Sequence, residues 1–313
     1  MSGARIWTLH LALLAALFAM QWVLSPYHAT NLARIMVLAL FASGYNLAFG
    51  YTGLLSLGHA LYLAAGMYAG SLPAWHFGLS GGWVLLLGTA GGTAMAALTG
   101  LFALRTRGVA FMIVTLMFAQ TGHLALLYFR RWTGGDEGFT LPAASRVILG
   151  ADLSQTGARY MLAFLLFAAG MLLTLALVRS RLGRVMRALR ENEERCRMLG
   201  YNPFVGKLAV LSLSGAYAGA AGASYALLFG YAGGSFATIQ YSILPLLYTL
   251  TGGAGTVAGP LFGTGAIFYL SDLAADLTSA WAFVVGLALV VVILFAPQGL
   301  LGMVRTRFWR SLP

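Results

Sequence analysis

The feature that most constrains this chain is a succession of apolar stretches, each almost free of charge and long enough to form a membrane-spanning helix. A hydrocarbon core about 30 Å thick is crossed by roughly 20 helical residues. About ten such stretches follow one another along the chain. They lie at 6–25, 32–50, 54–72, 82–103, 109–129, 159–178, 208–230, 241–257, 260–276 and 281–298. The pattern predicts an all-α polytopic membrane protein, a bundle of about eight to ten transmembrane helices.

The composition excludes several other classes of protein. With 60% hydrophobic and only 9% charged residues, and a mean hydropathy of +0.83, the chain cannot present a water-soluble surface. Lys and Arg outnumber Asp and Glu by 19 to 8, but no basic tract alternates with aromatic residues. This excess indicates membrane topology and lipid contact rather than nucleic-acid binding. The single cysteine, Cys196, excludes an intrachain disulfide, and the scattered histidines predict no metal site.

The basic residues predict the orientation of the bundle, because Lys and Arg near span ends remain preferentially on the cytoplasmic side. Ten spans with both termini inside leave only five basic residues outside. These are Arg34, Arg130, Arg131, Arg146 and Arg159. We therefore predict one transmembrane domain over residues 1–313, with a periplasmic loop at 130–158 and a cytoplasmic loop at 179–207. A model of eight or nine spans, with the Gly-rich segment 241–260 as a re-entrant hairpin, stays open.

Glycines four residues apart recur in the apolar stretches, as in Gly66 and Gly70, Gly88 and Gly92, and Gly215 and Gly219. In lipid such spacing allows close helix packing. These pairs predict a multi-helix bundle and no binding site.

The cytoplasmic loop has the pattern of a short amphipathic helix or pair of helices. Its apolar residues fall near one face at helical spacing, namely Leu182, Val185, Met186, Leu189 and Cys196. A basic amphipathic helix can lie on anionic lipid or contact a protein. The acidic residues Glu191 and Glu194 modestly favour protein contact, and Gly200 predicts the end of the helix.

Motifs of soluble enzymes fail on spacing. The segment 200–208 has five residues between its glycines and Leu208 where a P-loop needs Ser or Thr, and 253–259 is GxGxxxG rather than GxGxxG. A membrane-embedded enzyme therefore has little support. A secondary transporter or channel is the alternative, but it would be expected to carry paired intramembrane charges. No such pair occurs at the middle of a predicted span.

Polar residues and glycines within or between the spans are candidates for a translocation path. They are Ser56, His59, Gln120, His123, Gly253, Gly255 and Thr256. A polar group in lipid is costly unless it faces protein or water. Each polar side chain could therefore line a path or hydrogen-bond a neighbouring helix, and the glycines could serve turn geometry alone.

Four motifs in fixed order resemble those of the permease subunits of branched-chain amino-acid ABC importers, of the LivM type with the related LivH type. They are GYTGLLSLGHA at 50–60 followed by GMYAG at 66–70, ALRENEERCRMLG at 188–200, Lys207 with SGAYAGAAG at 214–222, and TGGAGTVAGP at 251–260. The outer segment TGGDEG at 133–138 is also similar to a family motif. Together the motifs cover most of residues 44–300.

The resemblance implies a transport subunit that pairs with a second homologous permease, two cytoplasmic ABC ATPases and a periplasmic substrate-binding protein in the bacterial inner membrane. ATP and Mg²⁺ would bind the ATPases, and this chain would bind no cofactor. The residues that would couple to the ATPases are Arg190, Glu191, Asn192, Glu194 and Gly200. Arg195 and Cys196 replace two alanines of the family's loop. The expected cargo is leucine, isoleucine, valine or a related amino acid, with urea or short amides as the alternative.

Overall fold

The computed structural model describes residues 3–148, 150–278, 280–295 and 298–307, and it is almost entirely helical. The helices are α1 Gly3–Val23, α2 Pro26–Asn46, α3 His59–Phe77, α4 Gly81–Ala103, α5 Val109–Tyr128, α6 Arg130–Thr133, α7 Thr156–Arg179, α8 Arg181–Glu191, α9 Glu193–Met198, α10 Pro203–Phe229, α11 Ile239–Gly252, α12 Gly259–Leu277, α13 Trp281–Phe295 and α14 Gly299–Arg307. A π-helical turn, Leu47–Tyr51, extends α2. Short 3₁₀ turns occur at Ala143–Arg146 and Gly234–Ala237.

The predicted all-α polytopic fold is confirmed, because each of the ten predicted apolar stretches coincides with one helix. Six of the described helices are long and apolar enough to cross a membrane. The third stretch differs at its start, because it was predicted to begin at residue 54 and α3 begins only at His59. Gly53 has a φ of +76°, and residues 54–58 after it are not helical. Of the charges that entered the predicted topology, Arg310 lies outside the described residues.

Helix α2 is the centre of the bundle. It packs against α7, α10, α11 and α12, and 83% of its most apolar window is buried. In contrast, only 17% of the corresponding window of α5 is buried. The side chains of Phe41 and Tyr45 are fully enclosed. A helix that is apolar on all sides is typical of the interior of a membrane bundle.

The glycine pairs lie at close helix contacts, as their spacing predicts. A Cβ atom added at Gly66 of α3 would overlap the Cα atom of Gly219 of α10. One added at Gly92 of α4 would lie 2.5 Å from the carbonyl oxygen of Gly215. Helices α3, α4 and α10 therefore touch through their backbones, where van der Waals contact is the main attraction in lipid.

The two ends of the bundle differ in structure. We call the end that carries α8 and α9 the inner end, and the opposite end, with residues 129–155, the outer end. At the outer end β1, Phe139–Thr140, pairs with β4, Tyr231–Ala232, and β2, Val147–Ile148, pairs with β3, Ala151–Asp152.

The Gly-rich segment after α11 forms a turn at the inner end. A Cβ atom at Gly253 would approach the backbone of Gln298 and Gly302 at the start of α14. One at Gly255 would lie 3.5 Å from Nη1 of Arg190 in α8. The α11–α12 hairpin thus reaches the side of the bundle that carries α8.

Candidate coupling site

The segment that follows α7 folds into two short helices whose ends are set by side-chain caps. The Oγ atom of Ser180 accepts a hydrogen bond from the backbone N–H of Leu182 at the start of α8. The Oδ1 atom of Asn192 accepts bonds of 3.0 Å from the backbone N–H groups of Glu194 and Arg195 at the start of α9. Such caps satisfy N–H groups that a helix leaves unpaired. Asn192, a predicted coupling residue, therefore sets the corner between the two helices.

The buried face of this helix pair matches the predicted amphipathic pattern. Met186, Leu189 and Cys196 are buried against the bundle. The opposite side exposes two predicted coupling residues, Glu191 and Glu194. It also exposes large apolar side chains beyond α9, since Met198 is 84% and Leu199 74% exposed.

The exposed segment ends at Gly200. Its φ is +84°, a conformation that glycine adopts without strain, and the helix stops here as predicted.

Arg190 lies at the C-terminal end of α8 and extends towards the membrane helices. Its Nη1 atom donates a hydrogen bond to the carbonyl oxygen of Gly50 in the π-helical turn. The same guanidinium lies beside Gly255 in the α11–α12 turn. One cation therefore connects α8 with two turns, each at a glycine, that are about two hundred residues apart in sequence.

Asn46 joins the same two turns from within the membrane helices. Its Oδ1 atom accepts a hydrogen bond of 2.8 Å from the N–H of Gly255, and its Nδ2 atom donates one of 2.8 Å to the carbonyl oxygen of Thr256. The side chain is fully buried. Thr256 in turn donates its hydroxyl to the carbonyl oxygen of Gly253 at 2.7 Å. The turn is held as a unit at the inner end of α2.

Glu193 is the acidic centre of the inner end. Its carboxylate lies 2.6 Å from Nζ of Lys207 in α10, 3.4 Å from Arg197 and 3.9 Å from Arg107 in the α4–α5 loop. Burial raises the pKa of Glu193, but the hydrogen bond and charge of Lys207 and the two arginines outweigh it, so its pKa is below the ordinary value. The carboxylate ties α9 to α10 and to the loop before α5.

Ser56, in the segment before α3, and His59, the first residue of α3, are fully buried. The Nε2 atom of His59 is 2.8 Å from the hydroxyl of Ser214, which donates a hydrogen bond to the carbonyl oxygen of Gly44. The Oγ atom of Ser56 accepts a bond from the N–H of Gly58. His59 thus contacts a neighbouring helix, α10, through Ser214, whereas the bond of Ser56 lies within its own segment. A role of either residue in the translocation path stays a prediction.

Most of the chain matches a known family. Residues 28–295 match the family described as branched-chain amino acid transport system / permease component. The chain belongs to this family. Its motifs at 50–60 and 251–260, which Arg190 and Asn46 bring together, lie within the matched region.

Two relatives match almost the whole of this permease. It is 30% identical to the high-affinity branched-chain amino acid transport system permease protein LivM of Escherichia coli K12, over 94% of this chain and 74% of the relative. It is 29% identical to the protein of the same name from Salmonella typhimurium LT2, over 94% and 75%. No solved structure matches significantly. The permease is thus a multi-pass membrane protein and a transport subunit rather than an enzyme.

The remaining path candidates of this permease lie on α5. His123 places its Nδ1 atom 3.2 Å from the carbonyl oxygen of Gly234 at the outer end, and Gln120 lies about one turn earlier on the same helix. The structure therefore brings Gly253, Gly255 and Thr256 together with Arg190 but leaves the α5 pair apart from them.

Sequence reasoning did not select two of the residues that organise this site. Asn46 lies in an apolar stretch, one turn before the Gly50 motif, and the sequence does not show which group its amide would bond. Glu193 stands between Glu191 and Glu194, and nothing in the sequence distinguishes the three acids. The signal for Asn46 was an amide within an apolar stretch and next to a glycine motif, because a polar group in lipid needs a hydrogen-bond partner.

Proposed function

We propose that this permease is a transmembrane subunit of an ATP-driven importer for branched-chain amino acids in the bacterial inner membrane. It would form the translocation path with a second homologous permease and receive cargo from a periplasmic binding protein. Two cytoplasmic ATPases would bind ATP and Mg²⁺. The family and the names of the two relatives support the cargo.

The observation that carries the coupling role is the contact of Arg190 with the carbonyl oxygen of Gly50. An ATPase that displaced α8 and α9 would act directly on the π-helical turn and, through Asn46, on the turn at 253–256. Two rigid elements joined by specific bonds can transmit such a displacement.

The exposed face of α8 and α9 fits an ATPase groove better than a lipid surface. Glu191 and Glu194 are exposed, and anionic lipid would repel them. Beside them, Met198, Leu199 and Tyr201 present exposed apolar surface. Aromatic residues and methionine are enriched at protein interfaces. We propose that Glu191, Glu194 and Gly200 contact the ATPase, and that Arg190 and Asn192 set the shape of the loop.

Uptake in cells tests the cargo. Labelled leucine and labelled urea would be supplied to source cells with and without this gene, after collapse of the proton gradient and with ATP preserved. We expect deletion to abolish leucine uptake alone. Loss of urea uptake with normal leucine uptake would overturn the cargo, and leucine uptake that required the proton gradient would overturn the energy source.

A triple variant tests the coupling role. Replacing Arg190, Glu191 and Glu194 with alanine should abolish leucine uptake while the chain stays in the membrane at wild-type level. Arg105→Ala, an exposed cation at the same end of the bundle, should leave uptake unchanged. Normal uptake in the triple variant would contradict the assignment of this loop.

A further inference from the structure

A cavity of about 430 Å³ lies at the inner end, between the α4–α5 loop, the start of α5 and the helix pair α8–α9. Its size is within the range of ligand pockets, roughly 300–1,000 Å³. None of the predicted path residues lines it. The cavity therefore needs an explanation of its own.

One part of the cavity wall is apolar. Leu54 and Leu55 contribute from the segment before α3, Phe111 and Met112 from α5, and Leu189 from α8. Such a wall favours binding of an apolar group of the size of a branched side chain, because transfer of that group from water contributes roughly 1.5–3 kcal/mol to the free energy of binding.

Four charged side chains also line the cavity, and three of them are cations. They are Arg107, Arg190, Lys207 and Glu193. Lys207 is largely neutralised by its 2.6 Å contact with Glu193. Arg107 keeps a 61% exposed side chain and only a 3.9 Å contact with Glu193, and Arg190 makes its hydrogen bond to Gly50 through Nη1. The excess positive charge favours a ligand with a carboxylate, which an arginine can bind through two hydrogen bonds.

We propose that this cavity binds a short branched aliphatic carboxylate, the chemistry of the transported amino acid itself or of its 2-oxo acid. The inference rests on the proposed function. A ligand in the cavity would contact Arg107 on one side and Arg190 and Leu189 of α8 on the other. It would hold the helix pair against the bundle, so that cargo accumulated on the inner side slows further import.

The test uses the whole importer in proteoliposomes with the ATPases facing the bath, where leucine can be added to the inner face directly. ATP hydrolysis stimulated by loaded binding protein inside the vesicles would be measured against bath leucine. We expect a decrease of about fivefold to tenfold, in the lower range of allosteric couplings. Isoamylamine, which lacks the carboxylate, and glutamine, which lacks the branched chain, should have little effect. The 2-oxo acid 4-methyl-2-oxopentanoate distinguishes the two sources: a decrease with leucine alone assigns the site to the amino acid.

Two variants locate the effect in the cavity. Arg107→Gln should remove the inhibition by weakening carboxylate binding, and Met112→Trp should remove it by filling the space. Arg105→Gln, in the same loop but not in the cavity wall, should keep it. Inhibition that persists in both cavity variants would overturn the proposal, and so would stimulated hydrolysis that neither bath leucine nor 4-methyl-2-oxopentanoate reduces. Absence of stimulation by leucine-loaded binding protein would instead contradict the proposed function.

Discussion

Removing the amide of Asn46 should loosen the inner end without unfolding the bundle. In Asn46→Ala the N–H of Gly255 loses its side-chain acceptor and the carbonyl oxygen of Thr256 loses its donor. Each buried group deprived of its partner costs about 1–3 kcal/mol. Taking the lower value for each, the turn is destabilised by about 2 kcal/mol, which raises its local opening constant roughly 30-fold.

Hydrogen exchange measures this opening directly. The amides of residues 252–258 in the permease in nanodiscs should exchange roughly 30-fold faster in Asn46→Ala than in the wild type. Leucine uptake should fall with it, because the turn no longer follows the π-helical segment that Arg190 contacts.

Ser43→Ala provides the matched control on the same helix. The buried hydroxyl of Ser43 donates only to the carbonyl oxygen of Ala39 in its own helix, at 2.7 Å. Its removal should leave exchange in 252–258 unchanged. Equal exchange in Asn46→Ala and Ser43→Ala would refute the idea that Asn46 holds the turn.

Two further predictions concern packing and charge. Gly66→Ala should lower the unfolding temperature of the detergent-solubilised permease, because the added methyl forces α3 away from Gly219 at a cost of about 1–3 kcal/mol or more. Gly82→Ala, with no atom within 4 Å of the added methyl, should leave the unfolding temperature unchanged. Equal unfolding temperatures of the two variants would contradict the backbone contact. The lowered pKa of Glu193, set by burial and by the stronger opposing effect of Lys207 and its arginine neighbours, makes its ionised form stabilising at neutral pH. That stabilisation should be lost as the pH falls from neutral through the lowered pKa. The unfolding temperature of Glu193→Gln should therefore depend less on pH over this range than that of the wild type, and identical curves would argue against the contact between Glu193 and Lys207.

The helices were predictable because their signal is local. A stretch such as 82–103 needs only its own apolar residues to be recognised, and α4 occupies Gly81–Ala103. The amphipathic loop was predictable for the same reason, since Met186 and Leu189 fall on one face by spacing alone. Its interruption at Asn192 also has a local cause, a side-chain cap.

The contacts between distant segments could not be predicted from the sequence. Asn46 and Gly255 are separated by 209 positions, and neither residue carries a local signal for the other. The same holds for Lys207 and Glu193, because a lysine at the start of an apolar helix indicates membrane topology and does not indicate which acid it pairs with. Whether His59 would contact a neighbouring helix depended on where α10 lies, which no periodicity specifies.

The contact between Arg190 and Gly50 has a consequence for exchanging parts between permeases. A chimera that transplants only 181–198 would bring an arginine to a foreign π-helical turn and a foreign 253–256 turn. Because the guanidinium lies beside both turns, we expect segment 181–198 and the two turns to function only when they come from the same permease. Domain swaps that move them together should keep transport linked to ATP hydrolysis, and swaps that divide them should yield complexes that hydrolyse ATP without moving cargo.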